Sequence, residues 1–254
     1  MPKLFVVSDI HGFYDELIDA LDKAGFDKDN ENHWMISCGD TTDRGPKPLE
    51  VIRYLESLPN KIIISGNHED LTLECINRGY WGSHDMSNGT FDTICELGGA
   101  GEGRSFDECC IVADSIVRPF FNSMVNYFET KNYVFVHGFI PVNCNRSLPR
   151  SYKPHLKYSA KEDWRYAHQS EWEDAKWLNG MEMAMDGFGI EKTIICGHFH
   201  TSWGHAIHDK TFNEFGEGAD FSPFYYEDKL IAIDACTAYS GKVNVLVLED
   251  EFLE

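Results

Sequence analysis

The sequence predicts an α/β fold: a layered β-sheet core flanked by helices, with a helical insertion over about residues 70–130. Three observations predict it. Six short apolar runs recur along the chain, each closed by a small residue and then a polar one: KLFVVSD, WMISCGD, KIIISGN, NYVFVHG, KTIICGH and KLIAIDA. Segments with helical spacing separate the first three. The 254 residues suffice for one large domain or two small ones, and no stretch reads as a flexible linker, so residues 1–254 are taken as one domain.

Continuous runs rich in Val and Ile read as strands buried on both faces between layers of helix. After the first run, YDELIDALDKAGF sets Leu17, Ile18 and Leu21 on one helical face, and Gly25 can end the helix. After the second, KPLEVIRYLESL repeats the pattern with Pro48 near its start, where a proline is tolerated. The order is β-α-β-α-β. From about 70 to 130, helical segments flank the glycine-rich ELGGAGEG, which predicts a helical insertion over one edge of the sheet. Residues from about 141 to 180, rich in Trp, Tyr and charge, read as a surface excursion. DKTFNEFGEGADFSPFYYEDK reads as a loop before two last strands, LIAIDA and KVNVLVLE.

The balance of 22 Lys and Arg against 42 Asp and Glu gives a formal charge of −20, scattered along the chain. Such a field repels nucleic acid and anionic membrane, and no basic patch reverses it, so neither is expected as a partner. The eight cysteines form no C-x-x-C pair and several lie inside apolar runs, which reads as reduced core thiols in a reducing compartment. A strand starts almost at residue 1, leaving no room for a leader, and no run of about 18 apolar residues occurs. The expectation is a cytoplasmic, unanchored protein.

In open α/β sheets the loops at the carboxyl ends of the strands meet in one crevice. The residues placed there are Asp9 and His11; Asp40 with Asp43 and Arg44; Asn67 and His68; His137; and His198 with His200. Singly, each has an ordinary explanation, since an Asp after a strand usually caps a helix or turns the chain. Together, five strand ends carry Asp, Asn or His, with further chemically able residues one and three positions on. Oxygen and imidazole donors without thiolate suit Mn, Fe, Zn or Ni, and one carboxylate can bridge two such ions. By ligand count this is a dinuclear site. Two ions about 3.5–4 Å apart clamp a phosphoryl group and lower the pKa of a bridging water, which predicts phosphoester hydrolysis by in-line attack of hydroxide.

The blocks SDIHG, GDTTDRG, GNHE, HGF and GHFH resemble the five signature blocks of the calcineurin-like metallophosphoesterases. GDTTDRG and GNHE resemble the phosphoprotein phosphatase branch, which includes bacterial and bacteriophage serine/threonine phosphatases and symmetrical diadenosine tetraphosphatases. The resemblance implies the metallophosphoesterase fold. It also implies two divalent ions, Mn foremost, with Asp9 and His11 on the first, Asp40 bridging, and Asn67, His137 and His198 on the second. His68 would protonate the leaving oxygen, with Asp43 holding its ring, while Arg44 and Asn67 would bind the phosphate. Glu69 is assigned structural support.

Two departures stand out. The last block keeps a second histidine, the form of the wider superfamily, which implies His200 on the first metal. The branch's second phosphate-binding arginine is missing: AKWLNGME offers Trp177 and Asn179 at the matching place, and Arg165 in EDWRYA reads first as a surface salt bridge, with substitution for that arginine as its alternative role. The aromatic stretches DFSPFYYEDK and SEWEDAKW read as packing, with stacking on a nucleobase as the alternative. The best single expectation is a phosphatase acting on phosphoserine or phosphothreonine proteins. The alternatives are a symmetrical diadenosine tetraphosphate hydrolase and an inactive metal-binding scaffold.

Overall fold

A computed structural model describes residues 1–149, 153–210 and 213–253. The first sheet is built early: β1 (Lys3–Val7), α1 (Tyr14–Ala24), β2 (His33–Cys38), α2 (Pro48–Ser57) and β3 (Lys61–Ile64). Gly25 ends α1 in the left-handed conformation and Pro48 sits in the first turn of α2. Four helices follow, α3 (Asn67–Arg78), α4 (Ser83–Asn88), α5 (Thr90–Gly98) and α6 (Phe106–Phe121). The second half supplies β4 (Phe128–Glu129), β5 (Tyr133–Phe135), β6 (Asn143–Cys144), α7 (Pro154–Lys157), β7 (Tyr158–Ser159), α8 (Gln169–Lys176), α9 (Gly180–Met185) and β8 (Thr193–Cys196). It closes with α10 (Thr201–Gly204), β9 (Phe224–Tyr226), β10 (Leu230–Ala232), α11 (Thr237–Ser240) and β11 (Leu246–Glu249).

These strands make two sheets, ordered β11-β1-β2-β3 and β4-β5-β8-β10-β9. The inner pairs β1/β2, β2/β3, β5/β8 and β8/β10 are parallel, and the edges β11, β4 and β9 run antiparallel. The period-2 alternation of a strand assigns each side chain its layer. Leu4, Val6, Ile36, Cys38 and Ile64 of the first sheet meet Phe135, Ile195, Ile231 and Ile233 of the second. Val7, Met35 and Ile63 instead face the helices of the first half, and Val134, Ile194 and Leu230 face α8 and α9.

The expectation of strands between two layers of helix is therefore corrected: each sheet has helices on one face and the other sheet on its second. An apolar run carries the same signal in either case, because both neighbours exclude water equally. The helices between β3 and β4 also do more than border an edge. Ile94, Leu97, Cys109 and Val117 join Val51 and Leu55 of α2 in one core, so α5 and α6 extend the outer helical layer. Within 141–180, Trp164 and Trp172 are almost fully buried and stack around Tyr127, so this stretch is partly core rather than surface excursion. The stretch 209–229 contains the short strand β9; its Thr211 and Phe212 lie outside the described residues. All eight cysteines are free; five are buried, whereas Cys144 is exposed. Among the described residues no helix is long and apolar enough to cross a membrane.

Candidate metal centre

The loops after β1, β2, β3, β5 and β8 converge at one end of the sandwich, and the backbone there is strained. Nine described non-glycine residues have positive φ, and six of them are Asp9, His11, Asp40, Asp43, Arg44 and His198. Such conformations cost on the order of 1–3 kcal/mol each and persist where surroundings over-determine them. The surroundings do so here. Gly66 passes so close to Asp40 that a Cβ would lie 2.1 Å from its Oδ1. Buried Glu69 ties β2 to α3, accepting the Asp40, Thr41 and Gly66 N–H groups at 3.1, 2.8 and 2.6 Å. That is the structural role its sequence position suggested.

Two donor clusters share Asp40: His11, Asp40 and His68, and Asp40, His137 and His198, the donor atoms of each lying within 4.8 Å of one another. His11 Nδ1 donates to the Thr42 carbonyl at 3.0 Å and His137 Nδ1 to the Cys38 carbonyl at 2.7 Å. Both rings therefore present Nε2 to the centre, the arrangement ligating histidines adopt. His137 Nε2 faces Asn67 Oδ1 at 2.8 Å and Asp40 Oδ1 at 3.3 Å. Asp9 spends Oδ2 on Ser8 Oγ and the His198 N–H, leaving Oδ1 3.9 Å from His11 Nε2. Oxygen and imidazole donors converge without a thiolate, a set that fits borderline and hard divalent ions.

Electrostatics point the same way. Burial, reinforced by Asp234, pushes the Asp9 carboxyl well above its usual range. Burial would also raise Asp40, but the charges of His137, His68 and His11 together hold it well below. Burial disfavours a charged His137, yet Asp40 outweighs this and pushes it up to about 10, while burial and His137 bring His198 down to about 3. Buried carboxylates that raise one another are what a bound cation relieves.

Within the first cluster, His68 Nδ1 donates to Asp43 Oδ2 at 2.8 Å, and its Nε2 faces Asp40 Oδ2 at 3.9 Å. Burial works against a charged His68, but Asp40 and Asp43 raise its pKa. Arg44 reaches over both, donating from Nη1 to His11 Nε2 at 2.7 Å and from Nη2 to His68 Nε2 at 3.1 Å. His11 can ligate a metal only when this guanidinium withdraws, and it would then stand free beside the centre to meet an anionic oxygen.

Two further sequence candidates lie away from the clusters. His200, like Asp9, supplies no donor to either: its ring stacks on Phe199 at 5.0 Å and its Nε2 meets Glu214 Oε1 at 2.9 Å, toward the mouth of the cleft. Arg165 is nowhere near the phosphate position. Glu129 holds it through two bonds of 2.8 and 2.6 Å, Trp164 lies under it at 4.3 Å, and it lines a separate cleft with Lys176 and Asp70. From AKWLNGME, Trp177 reaches the metal cleft, whereas Asn179 caps α9 by accepting the N–H groups of Met181 and Glu182.

Sequence reasoning missed Asp234. It follows β10, is buried, lines the same cleft of about 470 Å³ as His11, Arg44 and His198, and raises Asp9. Its signal was present, since KLIAIDA carries an acid just past its apolar stretch, as KLFVVSD and WMISCGD do.

The family model for calcineurin-like phosphoesterase matches residues 2–202. The symmetrical bis(5'-nucleosyl)-tetraphosphatases of Salmonella typhimurium and Salmonella typhi are each 41% identical over 66 residues, 26% of this chain. The match spans about a quarter (23%) of their length. Among solved structures, a cold-active protein-tyrosine phosphatase of a psychrophilic Shewanella has a TM-score of 0.56 at 18% identity, covering 98% of this chain and 76% of that one. One assigned as a diadenosine tetraphosphatase has a TM-score of 0.54 at 16% identity, covering 98% and 91%. At such identities these share the fold. The family match spans all five strand-end loops that build the double cluster around Asp40, and the chain belongs to the calcineurin-like phosphoesterase family.

Proposed function

We propose that the chain hydrolyses phosphomonoesters at a dinuclear metal centre. The observation that carries the proposal is the sharing of Asp40 between two donor clusters with the Asp43–His68 pair alongside. Asp9 and His11 would hold the first ion, Asn67, His137 and His198 the second, and Asp40 would bridge. Such ions supply a phosphoryl clamp and a nucleophile at neutral pH. The chain's own residues do the rest. Arg44 binds and orients the phosphate. His68, whose Nε2 takes up a proton once Arg44 withdraws and whose charged form Asp40 and Asp43 favour, gives that proton to the leaving oxygen. Asp43 holds the ring by its Nδ1, so that the proton-bearing nitrogen faces the reaction.

Manganese is the ion we assign, and phosphoserine or phosphothreonine proteins the substrate, following the GDTTDRG and GNHE spelling. The free thiols support a cytoplasmic setting. A second reading, nucleotide hydrolysis, is favoured by the cleft mouth. Trp177, Phe215 and Tyr239 are about half exposed there, with Phe215 5.2 Å from Tyr239 and Trp177 5.8 Å from the His198 ring, and Arg44 is the cleft's one arginine among the described residues. Exposed aromatic faces suit a base better than a phosphopeptide backbone. The Mn-loaded protein should be assayed on a phosphothreonine peptide and on diadenosine tetraphosphate, with chelated controls. Faster phosphate release from the peptide supports the first reading, faster nucleotide formation the second, and cleavage of neither contradicts both.

A further inference from the structure

The helices between β3 and β4 reach the site at two points. Thr90, the first residue of α5, is fully buried, and its hydroxyl donates at 2.7 Å to Asp43 Oδ2, the oxygen that also accepts His68 Nδ1–H at 2.8 Å. A threonine at a helix start ordinarily turns its hydroxyl to its own backbone. Here Gly89 takes the cap position and the hydroxyl leaves the helix. Gly89, at φ +80°, lies against the Asp43–Arg44 loop so closely that a Cβ would be 2.5 Å from the Arg44 nitrogen. From the neighbouring α3, Thr72 donates to Asp43 Oδ1 at 3.3 Å. Asp43 itself is fully buried at φ +69°, so these hydroxyls and His68 are what fix its carboxylate plane.

We propose that Thr90 is a positioning residue for proton donation: through it, the helical insertion fixes Asp43 and thereby aims His68 Nε2 at the leaving oxygen. Without this hydroxyl the carboxylate keeps one long bond from Thr72 and can rotate, carrying the His68 ring with it. A buried carboxylate short of a donor is also poorly satisfied, which favours such rotation. The inference rests on His68 being the general acid.

The test compares two substrates that differ in their need for a proton. p-Nitrophenyl phosphate expels a stable phenolate unaided, whereas an alkyl phosphate requires its leaving oxygen to be protonated. Thr90→Val in the Mn-loaded protein should lower kcat on the alkyl phosphate by about 10-fold or more, as supporting residues around a metal site do. On p-nitrophenyl phosphate kcat should change little, and Thr90→Ser should restore the alkyl rate. Thr90→Ala, which removes the hydroxyl without added bulk, should show the same selectivity and serves if Thr90→Val fails to fold. Equal losses on both substrates, or none on either, would overturn the proposal. His68→Asn separates the two levels: if it lacks the alkyl selectivity, the general-acid reading itself falls; if it has it and the Thr90 variants do not, only the role of Thr90 falls.

Discussion

Of two clefts compared among the described residues, the larger is not the one that carries the double cluster. The cleft of about 700 Å³ between α3, α6 and α8 contains Arg165, Lys176 and Asp70, but each charge has its complement. Lys176 Nζ meets both Asp70 oxygens at 2.9 and 2.7 Å, and Arg165 is forked on Glu129. The strand-end cleft, of about 470 Å³, is lined by His11, His198, His200 and Asp234, with Asp9, Asp40, His68 and His137 clustered against them and Arg44 as the nearby permanent cation. Its backbone is strained where the other is relaxed. Mutually coupled buried titratable groups on a backbone held out of its minima mark the site better than volume does.

The largest effect should come from the shared ligand. Asp40→Asn removes the bridging charge from both clusters and should lower kcat/KM by more than the roughly 10–100-fold typical of residues one layer out, with metal content falling alongside. His68→Asn should lower kcat by about 10²–10⁴-fold on an alkyl phosphate while both ions stay bound, as read by elemental analysis and turnover on one preparation. An unchanged turnover would remove His68 from the mechanism.

Changes in the other cleft should alter stability instead. Lys176→Met leaves Asp70 without its cation; because Asp70 is partly solvated, the loss should be about 1–3 kcal/mol in denaturant unfolding, below that for a fully buried pair. Turnover should stay within about twofold, and a large loss of kcat would break the contrast. Glu129→Gln should cost a comparable amount, about 1–3 kcal/mol, because Arg165 and Lys192 both lose a carboxylate that is only 11% exposed. Its bonds from Arg165, with Lys192 adding to them, lower the Glu129 pKa to about 2, below the unfolded value. That contribution is present above about pH 4.3 and is lost as pH falls toward 2, so wild type and variant should converge in acid.

The strand ends were legible because a buried parallel strand needs an apolar run, and the first residue free of the sheet is where a polar group can be spared. That rule placed Asp9, Asp40, Asn67, His137 and His198, and applied to KLIAIDA it would have placed Asp234. The two-sheet arrangement was not legible, since Val and Ile are silent about whether helix or sheet lies opposite. Arg165 takes the salt bridge that was its leading reading, although its partner Glu129, 36 residues away in sequence, was not legible. Nor was Glu214, which reaches His200 from a loop. Thr90 gave no signal, because a threonine at a helix start reads as a cap.

The most direct test is the metal stoichiometry of the wild-type chain. Protein stripped by chelator should be inactive on a generic aryl phosphate; resupplied with Mn, it should take up two ions per chain and regain phosphate release as the second binds. Full activity in the stripped protein, or saturation at fewer than two ions with full activity, would contradict the shared-Asp40 account.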